Sequence, residues 1–336
     1  MPHTVPTWII RAQVAIAALL LAATACGGGR AVTEAGTQPT PEPARVAGRS
    51  YFGANGYIEY IAGDAPVILT APHGGALVPT TIPDRAGERC GGAATTVTDS
   101  NTDELVRAMQ ARYFARFGRY PHVVIVRLSR KKLDANRTVT EAACGNADAV
   151  AALAEWHGFI DEAKRRVLAS SSRGWYMDMH GHGHPVQRLE LGYLLSASQL
   201  DASDATLDSA ASVERSSSLN TLSRAASAPF SASLRGPRSL GSLFAAAGFP
   251  SIPSAGDPSP RGAPYFNGGD NTARHTCGSG ATALSGVADG NVCGVQIETN
   301  FTGVRDTPSN RDRFGDATAL VLEQFLREQW ALELRP

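Results

Sequence analysis

The sequence predicts an α/β fold, a three-layer α/β/α sandwich around a mainly parallel (mixed) central sheet. Short apolar segments bounded by Gly or Pro alternate along the chain with longer segments of helical periodicity, an order typical of helices packed on both faces of a sheet. Several apolar segments are continuous rather than alternating, as expected for strands buried on both faces. Hydrophobic residues make up 43% of the 336 residues, enough for a large core, which excludes wholesale disorder.

Six strands and four helices are predicted. The strands are the apolar runs at residues 57–61, 67–71, 122–128, 175–180, 189–195 and 292–299. The first helix is capped by Asp99 or Ser100 and extends to about residue 117, and the others cover residues 147–169, 240–247 and 316–333. The Ser- and Ala-rich segment 196–239 is interpreted as an insertion over the sheet edge, either a cap on a site or a plain surface excursion.

The N-terminal segment predicts export. Residues 12–23 form an apolar run too short to span a bilayer, and small residues follow it directly before Cys26. We interpret residues 1–26 as a lipoprotein signal peptide in which Cys26 is lipidated; the alternative is an ordinary secretory signal, with this cysteine incidental. Residues 27–49 are Gly-rich and then Pro/Thr-rich, which predicts a flexible tether, and residues 50–336 form a single domain. The protein is therefore expected in the cell envelope, held to the membrane by a lipid anchor only, or secreted.

Charge and cysteine content limit the partners further. Lys and Arg together number 31 and Asp and Glu together number 31, so no bulk positive charge favours nucleic acid as a partner. The cysteines other than Cys26 are Cys90, Cys144, Cys277 and Cys293, which allow three disulfide pairings. We favour Cys277–Cys293, which closes a short Gly/Ser-rich loop, and Cys90–Cys144 by elimination. Their spacing fits no zinc knuckle, and the sequence does not indicate an oligomeric state.

Polar side chains with ligand chemistry follow three of the predicted strands. His73 precedes two glycines, His180 enters a Gly-rich turn, and Glu298 lies near the end of the last strand. Ligands of open α/β sheets bind beyond the carboxyl ends of the strands. Two imidazoles and a carboxylate, Asp99 by preference and Asp103 as the alternative, form a three-ligand set with an open position, typical of a catalytic zinc. We therefore expect one divalent metal per chain, with Glu298 as general base.

Other roles in this predicted site remain open. Asp178 lies two residues before His180 on the same strand face, so it is a candidate acceptor that orients an imidazole from outside the ligand set. His182 is a second candidate outside the ligand set, and it or His184 can stabilise an oxyanion. Each residue also has a structural interpretation: Asp99 as a helix cap, the histidine run as a surface tract, and Glu298 as the partner of Arg305.

The predicted substrate-binding residues follow the third strand. Arg137 suits a substrate carboxylate because a guanidinium pairs with a carboxylate through two parallel hydrogen bonds. Asn136 can add a hydrogen bond, and Arg130 is a second candidate clamp. The structural alternative for Arg137 is an ion pair with Asp134.

Over about residues 55–320, these motifs resemble those of the N-formylglutamate amidohydrolase family. The resemblance is carried by Pro72-His73-Gly74-Gly75, Asp99-x-x-x-Asp103-x-Leu105, Ser129-Arg130, Asp134-x-Asn136-Arg137, Asp178-x-His180-Gly181, Gln296-x-Glu298-x-Asn300, and the segment from Pro264 to Gly269. It implies a phosphorylase/hydrolase-like fold related to zinc exopeptidases, and zinc-dependent hydrolysis of the amide C–N bond of an N-acyl amino acid or small peptide.

Two other functions remain open from the sequence. A hydrolase of cell-wall peptides, acting as an amidase or carboxypeptidase, would use the same zinc site and suits an exported protein. A non-catalytic surface lipoprotein would keep the fold as a binding module.

Overall fold

A mixed β-sheet forms the centre of the protein. The computed structural model describes residues 44–278 and 289–335. In this part of the chain eight strands form one sheet in the order β1-β2-β4-β3-β5-β8-β6-β7. Their bounds are β1 (Ser50–Phe52), β2 (Ile58–Ile61), β3 (Val67–Ala71), β4 (His122–Val126), β5 (Gly174–Gly181), β6 (Leu189–Gly192), β7 (Ser251–Ile252) and β8 (Val292–Thr299). Strands β4, β3, β5 and β8 are mutually parallel, whereas β2 and β6 pair antiparallel with β4 and β8.

Helices cover both faces of this sheet. They are α1 (Thr102–Phe117), α2 (Val139–Ala143), α3 (Ala147–Ser170), α4 (Ala197–Leu200), α5 (Asp204–Ser209), α6 (Ala211–Ser216), α7 (Asn220–Ala225), α8 (Phe230–Arg235), α9 (Leu240–Ala246), α10 (Asp270–His275) and α11 (Pro308–Trp330). One core joins the sheet to α1, α11 and the helices of segment 196–246, and a second core joins the opposite face to α2 and α3. The predicted three-layer α/β fold with a mixed sheet is confirmed.

The predicted strands are all present, and two of them, β3 and β8, have the predicted bounds. Strands β1 and β7 were not predicted, because three and two residues are too few to show a periodicity. Helix α11 begins at Pro308, eight residues before the predicted start, after a cap in which the side chain of Thr307 accepts from the amide of Asn310. The polar first turns of this helix hide its start.

Helix α1 is capped by Asn101 in the left-handed conformation (φ 66°), not by Asp99 or Ser100. The helix start therefore leaves the Asp99 side chain unused as a cap. This prediction was wrong because the Asp99 side chain contacts residues that are distant in sequence, and the local sequence at a helix start cannot show such contacts.

Segment 196–239 forms the five short helices α4 to α8, and it is not a surface excursion. Leu200, Leu219, Leu222 and Leu234 are each 0% exposed and pack into the core that also contains α11. None of the residues lining the cavity described below comes from this segment, so it is not a cap on that cavity either.

The folded unit begins at Ala44, six residues before the predicted domain start. Arg45 forms an ion pair with Glu162 at 2.9 Å and lies over the ring of Tyr51, so the end of the predicted tether is ordered by polar contacts. The signal peptide, Cys26 and the rest of the tether lie outside the described residues. Across the described ranges, no helix is long and apolar enough to cross a bilayer.

Two disulfides, Cys90–Cys144 and Cys277–Cys293, connect distant parts of the fold. These are the pairings that the sequence favoured. Stable disulfides are compatible with a location outside the cytoplasm, where thiols are not kept reduced.

Candidate active site

The carboxyl ends of the central strands bring the predicted ligands together. His73 follows β3, His180 lies near the end of β5, and Glu298 is paired with His180 in the β5–β8 register. Asp99 precedes α1 and reaches the same point. All four side chains line one cavity of about 350 Å³.

Two glycines allow the His73 loop to approach its neighbours. A Cβ atom on Gly74 would lie 2.6 Å from the backbone nitrogen of Asp103, and one on Gly75 would lie 2.4 Å from the carbonyl oxygen of Val126. The loop therefore packs directly against the start of α1 and the end of β4. This contact places the carbonyl of His73 where it accepts from the Asp99 amide at 3.1 Å.

Two histidines and one carboxylate form the centre of the site. The Nδ1 atoms of His73 and His180 each lie 3.3 Å from Oδ2 of Asp99, and the two ring centroids are 4.7 Å apart. One ligand atom from each of the three residues lies within 4.8 Å of the others, and all three side chains are buried. The structure thus brings together the ligand set predicted with Asp99 rather than the one with Asp103.

A second carboxylate holds each imidazole from outside. Nε2 of His73 donates to Oδ1 of Asp134 at 2.6 Å, and Nε2 of His180 donates to Oδ2 of Asp178 at 2.9 Å. Both carboxylates are fully buried. Because each Nε2 is bonded to an outer carboxylate, each Nδ1 faces Asp99, and this orientation, with a carboxylate behind the ring, is typical of metal-binding histidines.

Asp178 occupies the outer position predicted for it, but Asp134 was missed as a site residue. Sequence reasoning treated Asp134 only as a partner for Arg137. The signal that could have found it is the Asp134-x-Asn136-Arg137 motif, which places a carboxylate beside two other polar side chains in one loop.

Negative charge accumulates at this centre. Burial raises the pKa of Asp99, but hydrogen bonds from His180 and His73 outweigh it and hold that pKa far below its usual range. Burial also raises the pKa of Asp134 and of Asp178, but His73 and nearby arginines outweigh it for Asp134, and His180 with other hydrogen-bond donors outweighs it for Asp178, so both pKa values are lowered. Three buried carboxylates are therefore ionised, and Arg130 offsets them in part. Imidazole nitrogens and carboxylate oxygen are ligands suited to zinc, so the residues present fit a divalent cation.

Glu298 lies beside the centre without joining the ligand set. Its Oε1 is 3.9 Å from Nδ1 of His180 and accepts from Nε2 of Gln296 at 3.0 Å. Burial, with the negative charge of Asp99, raises the pKa of the Glu298 carboxyl to about 7. It forms no ion pair with Arg305, whose guanidinium binds backbone carbonyls instead. A carboxylate with this pKa beside a cavity is suited to general base catalysis.

An amide network holds Glu298 in place. The Nδ2 of Asn136 donates to Oε1 of Gln296 at 3.2 Å, and Oδ1 of Asn136 accepts from the amide of Asn271 at 2.8 Å. Asn271 also donates through Nδ2 to Asp178 at 3.2 Å. The Asn136 amide therefore supports the cavity wall, which differs from the predicted hydrogen bond to substrate. Asn271 and Gln296 were not predicted as site residues, because their role depends on contacts between distant segments.

The two predicted substrate arginines differ in what they bind. Arg130 contacts Asp134 at 3.0 Å and Asp99 at 3.3 Å, so its guanidinium is already paired with site carboxylates. Arg137 is half-buried and lines the cavity, and its one hydrogen bond among the described residues is to the carbonyl of Asn136. Within the part of the chain that the structure describes, Arg137 forms no ion pair, either with Asp134 or with another carboxylate. Arg137 is therefore the cavity's available cation.

Asp103 lies outside the ligand cluster. Burial and the adjacent Glu104 carboxyl raise the pKa of Asp103 to about 7, and its side chain does not belong to the group formed by His73, Asp99 and His180. The alternative ligand set is therefore not the one that the structure assembles.

His182 and His184 do not line the cavity. The ring nitrogens of His182 bind the Arg188 carbonyl at 2.8 Å and the His184 amide at 3.1 Å, so neither nitrogen is left for the site. His184 binds Glu190 at 2.8 Å and stacks on Phe266, which does line the cavity. The predicted oxyanion and outer-ligand roles are not supported by this placement, because the Gly-rich turn carries both rings away from Asp99. His182, His184 and Glu190 form a second group with ligand atoms within 4.8 Å, already joined by these hydrogen bonds.

Comparison with known proteins gives a likeness of fold. The chain matches no family model and no curated protein. A gene product of Agrobacterium tumefaciens matches at 12% identity over 80% of this chain and 94% of that chain, with a TM-score of 0.44. An N-formylglutamate amidohydrolase from Ralstonia eutropha JMP134 matches at 12% identity over 77% and 92% (TM-score 0.39), and the N-acetylmuramyl-L-alanine amidase Ami1 from Mycobacterium smegmatis at 15% over 78% and 97% (TM-score 0.30). At these TM-scores the likeness carries no conclusion about activity.

Proposed function

We propose that the protein is a zinc-dependent amidohydrolase that cleaves the amide C–N bond of an N-acyl amino acid or small peptide. The observation that carries this proposal is the convergence of His73, His180 and Asp99 within 4.8 Å at the base of a cavity. Glu298 lies 3.9 Å from one of these ligand atoms and has a pKa of about 7. This combination supplies both a cation site and a base beside it.

His73, His180 and Asp99 would hold the metal. A divalent cation in such a site polarises a carbonyl oxygen and lowers the pKa of water. The protein contributes the orientation of the ligands. Asp134 and Asp178 fix the direction of the two imidazoles, with Nδ1 facing the site, which reduces the entropy cost of ordering them when the cation binds.

Glu298 moves the proton in this mechanism. Its carboxylate takes a proton from water as the water oxygen bonds to the acyl carbon. It then gives that proton to the leaving nitrogen as the C–N bond breaks. The products are a carboxylic acid and an amine, and the base returns to its starting state. Because the pKa of about 7 lies near neutrality, the carboxyl can both accept and donate at that pH.

Arg137 gives the cavity its selectivity. As the available cation of the wall, it is placed to pair with the carboxylate of an acylated amino acid. A guanidinium can bind both oxygens of such a group, which fixes the direction of the substrate as well as its charge.

A second candidate substrate is a cell-wall peptide. The two disulfides fit a location outside the cytoplasm, where such peptides occur. The same catalytic groups would serve, and the amino-acid carboxylate bound by Arg137 would then be that of a peptide end. Export through the predicted signal and attachment by Cys26 belong to this proposal.

Metal content and a substrate panel test the proposal. We expect about one metal per chain by elemental analysis, and hydrolysis of N-formyl or N-acetyl amino acids, or of muropeptides, in a panel that contains both. Glu298→Gln should retain the metal and lose hydrolysis by at least about a hundredfold, consistent with general base catalysis. Glu333→Gln, at an exposed position of the last segment, is the matched control.

Three outcomes would contradict the proposal. These are a protein without bound metal, Glu298→Gln hydrolysing at the parent rate, and no hydrolysis of any panel member. The last result would favour a binding module.

A further inference from the structure

Arg305 places one buried guanidinium where three chain segments meet. Its Nη1 donates to the carbonyl of Ser100 at 2.5 Å, its Nε to that of Thr299 at 3.3 Å, and its Nη2 to that of His182 at 3.3 Å. The residue is 5% exposed and does not line the cavity. All of these acceptors are backbone atoms, so the contacts fix main chain rather than side chains.

Each of these carbonyls is close in sequence to a site residue. Ser100 follows Asp99, Thr299 follows Glu298, and His182 lies two residues after His180. The three segments come from before α1, from the end of β8 and from the turn after β5. A single side chain is therefore bonded to the backbone beside two of the three predicted ligands and the predicted base.

The surroundings of Arg305 are shaped for this position. A Cβ atom on Gly181 would lie 2.3 Å from Cζ of Arg305, so only glycine leaves room for the guanidinium there. The Arg305 backbone is itself anchored, because its carbonyl accepts from Nδ2 of Asn101 at 2.9 Å and from Nη1 of Arg311 at 2.8 Å.

We propose that Arg305 is a positioning residue that sets the spacing of Asp99, His180 and Glu298 and thereby the affinity of the site for its cation. The inference rests on the metal site proposed above. It makes Arg305 part of a scaffold shared by three segments, in contrast to Asp134 and Asp178, which each act on one histidine.

The sign of the effect separates positioning from simple charge. Arg305 is a cation beside a cation site, and the negative charges of Asp99 and Glu298 act on it. If its charge alone mattered, removing the guanidinium would remove a repulsion and tighten metal binding. If it positions the ligands, removal weakens binding in spite of that gain.

Titration of metal-free protein with Co²⁺ and Zn²⁺ tests this. Arg305→Met should bind both ions at least about tenfold more weakly, the size of effect seen when supports of metal ligands are removed. Arg235→Met is the matched control: Arg235 is also buried and donates, away from the site, to three backbone carbonyls, those of Leu200, Pro258 and Ala202, and it pairs in addition with Asp204 at 2.6 Å. This control should bind the ions within about twofold of the parent even though it loses comparable contacts and stability.

Two further variants cover a failure of Arg305→Met to fold. Arg305→Lys keeps the positive charge but replaces the three donor nitrogens of the planar guanidinium by one ammonium nitrogen, and Gly181→Ala displaces the guanidinium without removing it. Both should weaken Co²⁺ binding and alter the Co²⁺ absorption spectrum.

Parent-like affinity and spectrum in Arg305→Lys would overturn the inference, as would tighter binding in Arg305→Met or an equal loss in Arg235→Met. A parent protein that binds neither ion would instead overturn the proposed function, and the inference with it.

Discussion

Replacing Asp134 by Asn tests how the site is built, because it changes a single atom of a side chain that is 0% exposed. Oδ1 of Asp134 accepts from Nε2 of His73 at 2.6 Å, and Oδ2 accepts from Nε of Arg130 at 3.0 Å, with Nη1 of Arg85 at 3.7 Å. An amide keeps one acceptor oxygen and places an N–H donor where the other oxygen was. Oδ1 also accepts from the Asn136 amide at 3.1 Å, so we expect the oxygen of the new amide to stay there and its nitrogen to face Arg130, where a donor then faces a donor.

The magnitude follows from these contacts. Hydrogen bonds to charged groups contribute about 1.5–3 kcal/mol, and breaking a buried ion pair costs about 3–5 kcal/mol. Arg130 keeps its contact with Asp99 at 3.3 Å, which offsets part of the loss. We expect the metal-free Asp134→Asn variant to lose about 3 kcal/mol of unfolding free energy. We expect Zn²⁺ affinity to fall about tenfold, at the lower end for such supports, because the amide oxygen can still hold His73.

Urea unfolding of the metal-free protein and Zn²⁺ titration measure the two quantities separately. Asp208→Asn is the control, since its carboxylate accepts two bonds from Ser231 away from the site. It should leave Zn²⁺ affinity unchanged. Parent-like Zn²⁺ affinity in Asp134→Asn would show that this carboxylate does not orient His73, and an equal drop in Asp208→Asn would show that the titration reports fold stability instead.

Three further predictions concern substrate, acid and disulfides. Arg137→Gln should raise KM about tenfold to a hundredfold for a substrate with a free carboxylate but not for its methyl amide, in steady-state kinetics; an equal rise for both would refute carboxylate recognition. Burial lowers the pKa of His122 to about 3, so below its ordinary value of 6.5 the unfolded chain binds a proton that the folded one does not. The free energy of unfolding therefore falls as pH drops from 6.5 toward 3, by about 1.4 kcal/mol per pH unit from this residue. In urea unfolding between pH 7 and 5, His122→Gln should show a shallower decline of that free energy than the parent; an unchanged slope would contradict this. Replacing both cysteines of Cys90–Cys144 by Ser should cost about 4 kcal/mol and of Cys277–Cys293 about 3 kcal/mol, because the closed chains span 54 and 16 residues; thermal unfolding showing the reverse order would contradict the loop-closure explanation.

Sequence reasoning found the site residues that lie at strand ends. His73, His180 and Glu298 each follow or end a continuous apolar run, and parallel strands necessarily bring such positions to one edge. Asp178 was found by the same logic, because residues two apart on a strand share a face. These placements depend on local pattern and on the fold class alone.

The roles that sequence reasoning left open or misplaced depend on contacts between distant segments. Asp99 was predicted as the preferred ligand and also as a helix cap, and the close approach of the Gly74 loop, which brings it to two histidines, decides between these roles. Arg130 and Arg137 both follow the same predicted strand, and sequence reasoning assigned both the same role. In the structure Arg130 is paired with two carboxylates, whereas Arg137 is available to the cavity. The repeated His-Gly pattern at 180–184 suggested that all three imidazole rings lie in the site, but the turn at its glycines separates the ring of His180 from the other two.

The pairing of β5 with β8 has a consequence for how this protein can vary. Eight consecutive residue pairs lock the two strands, and Asp178 opposes Gln296 as His180 opposes Glu298. Side chains on a strand alternate between faces, so losing one residue inside either strand would send its half of the candidate site into the opposite core. A change of length within these strands would therefore take the site apart, whereas the loops that surround them can change in length without moving the paired residues.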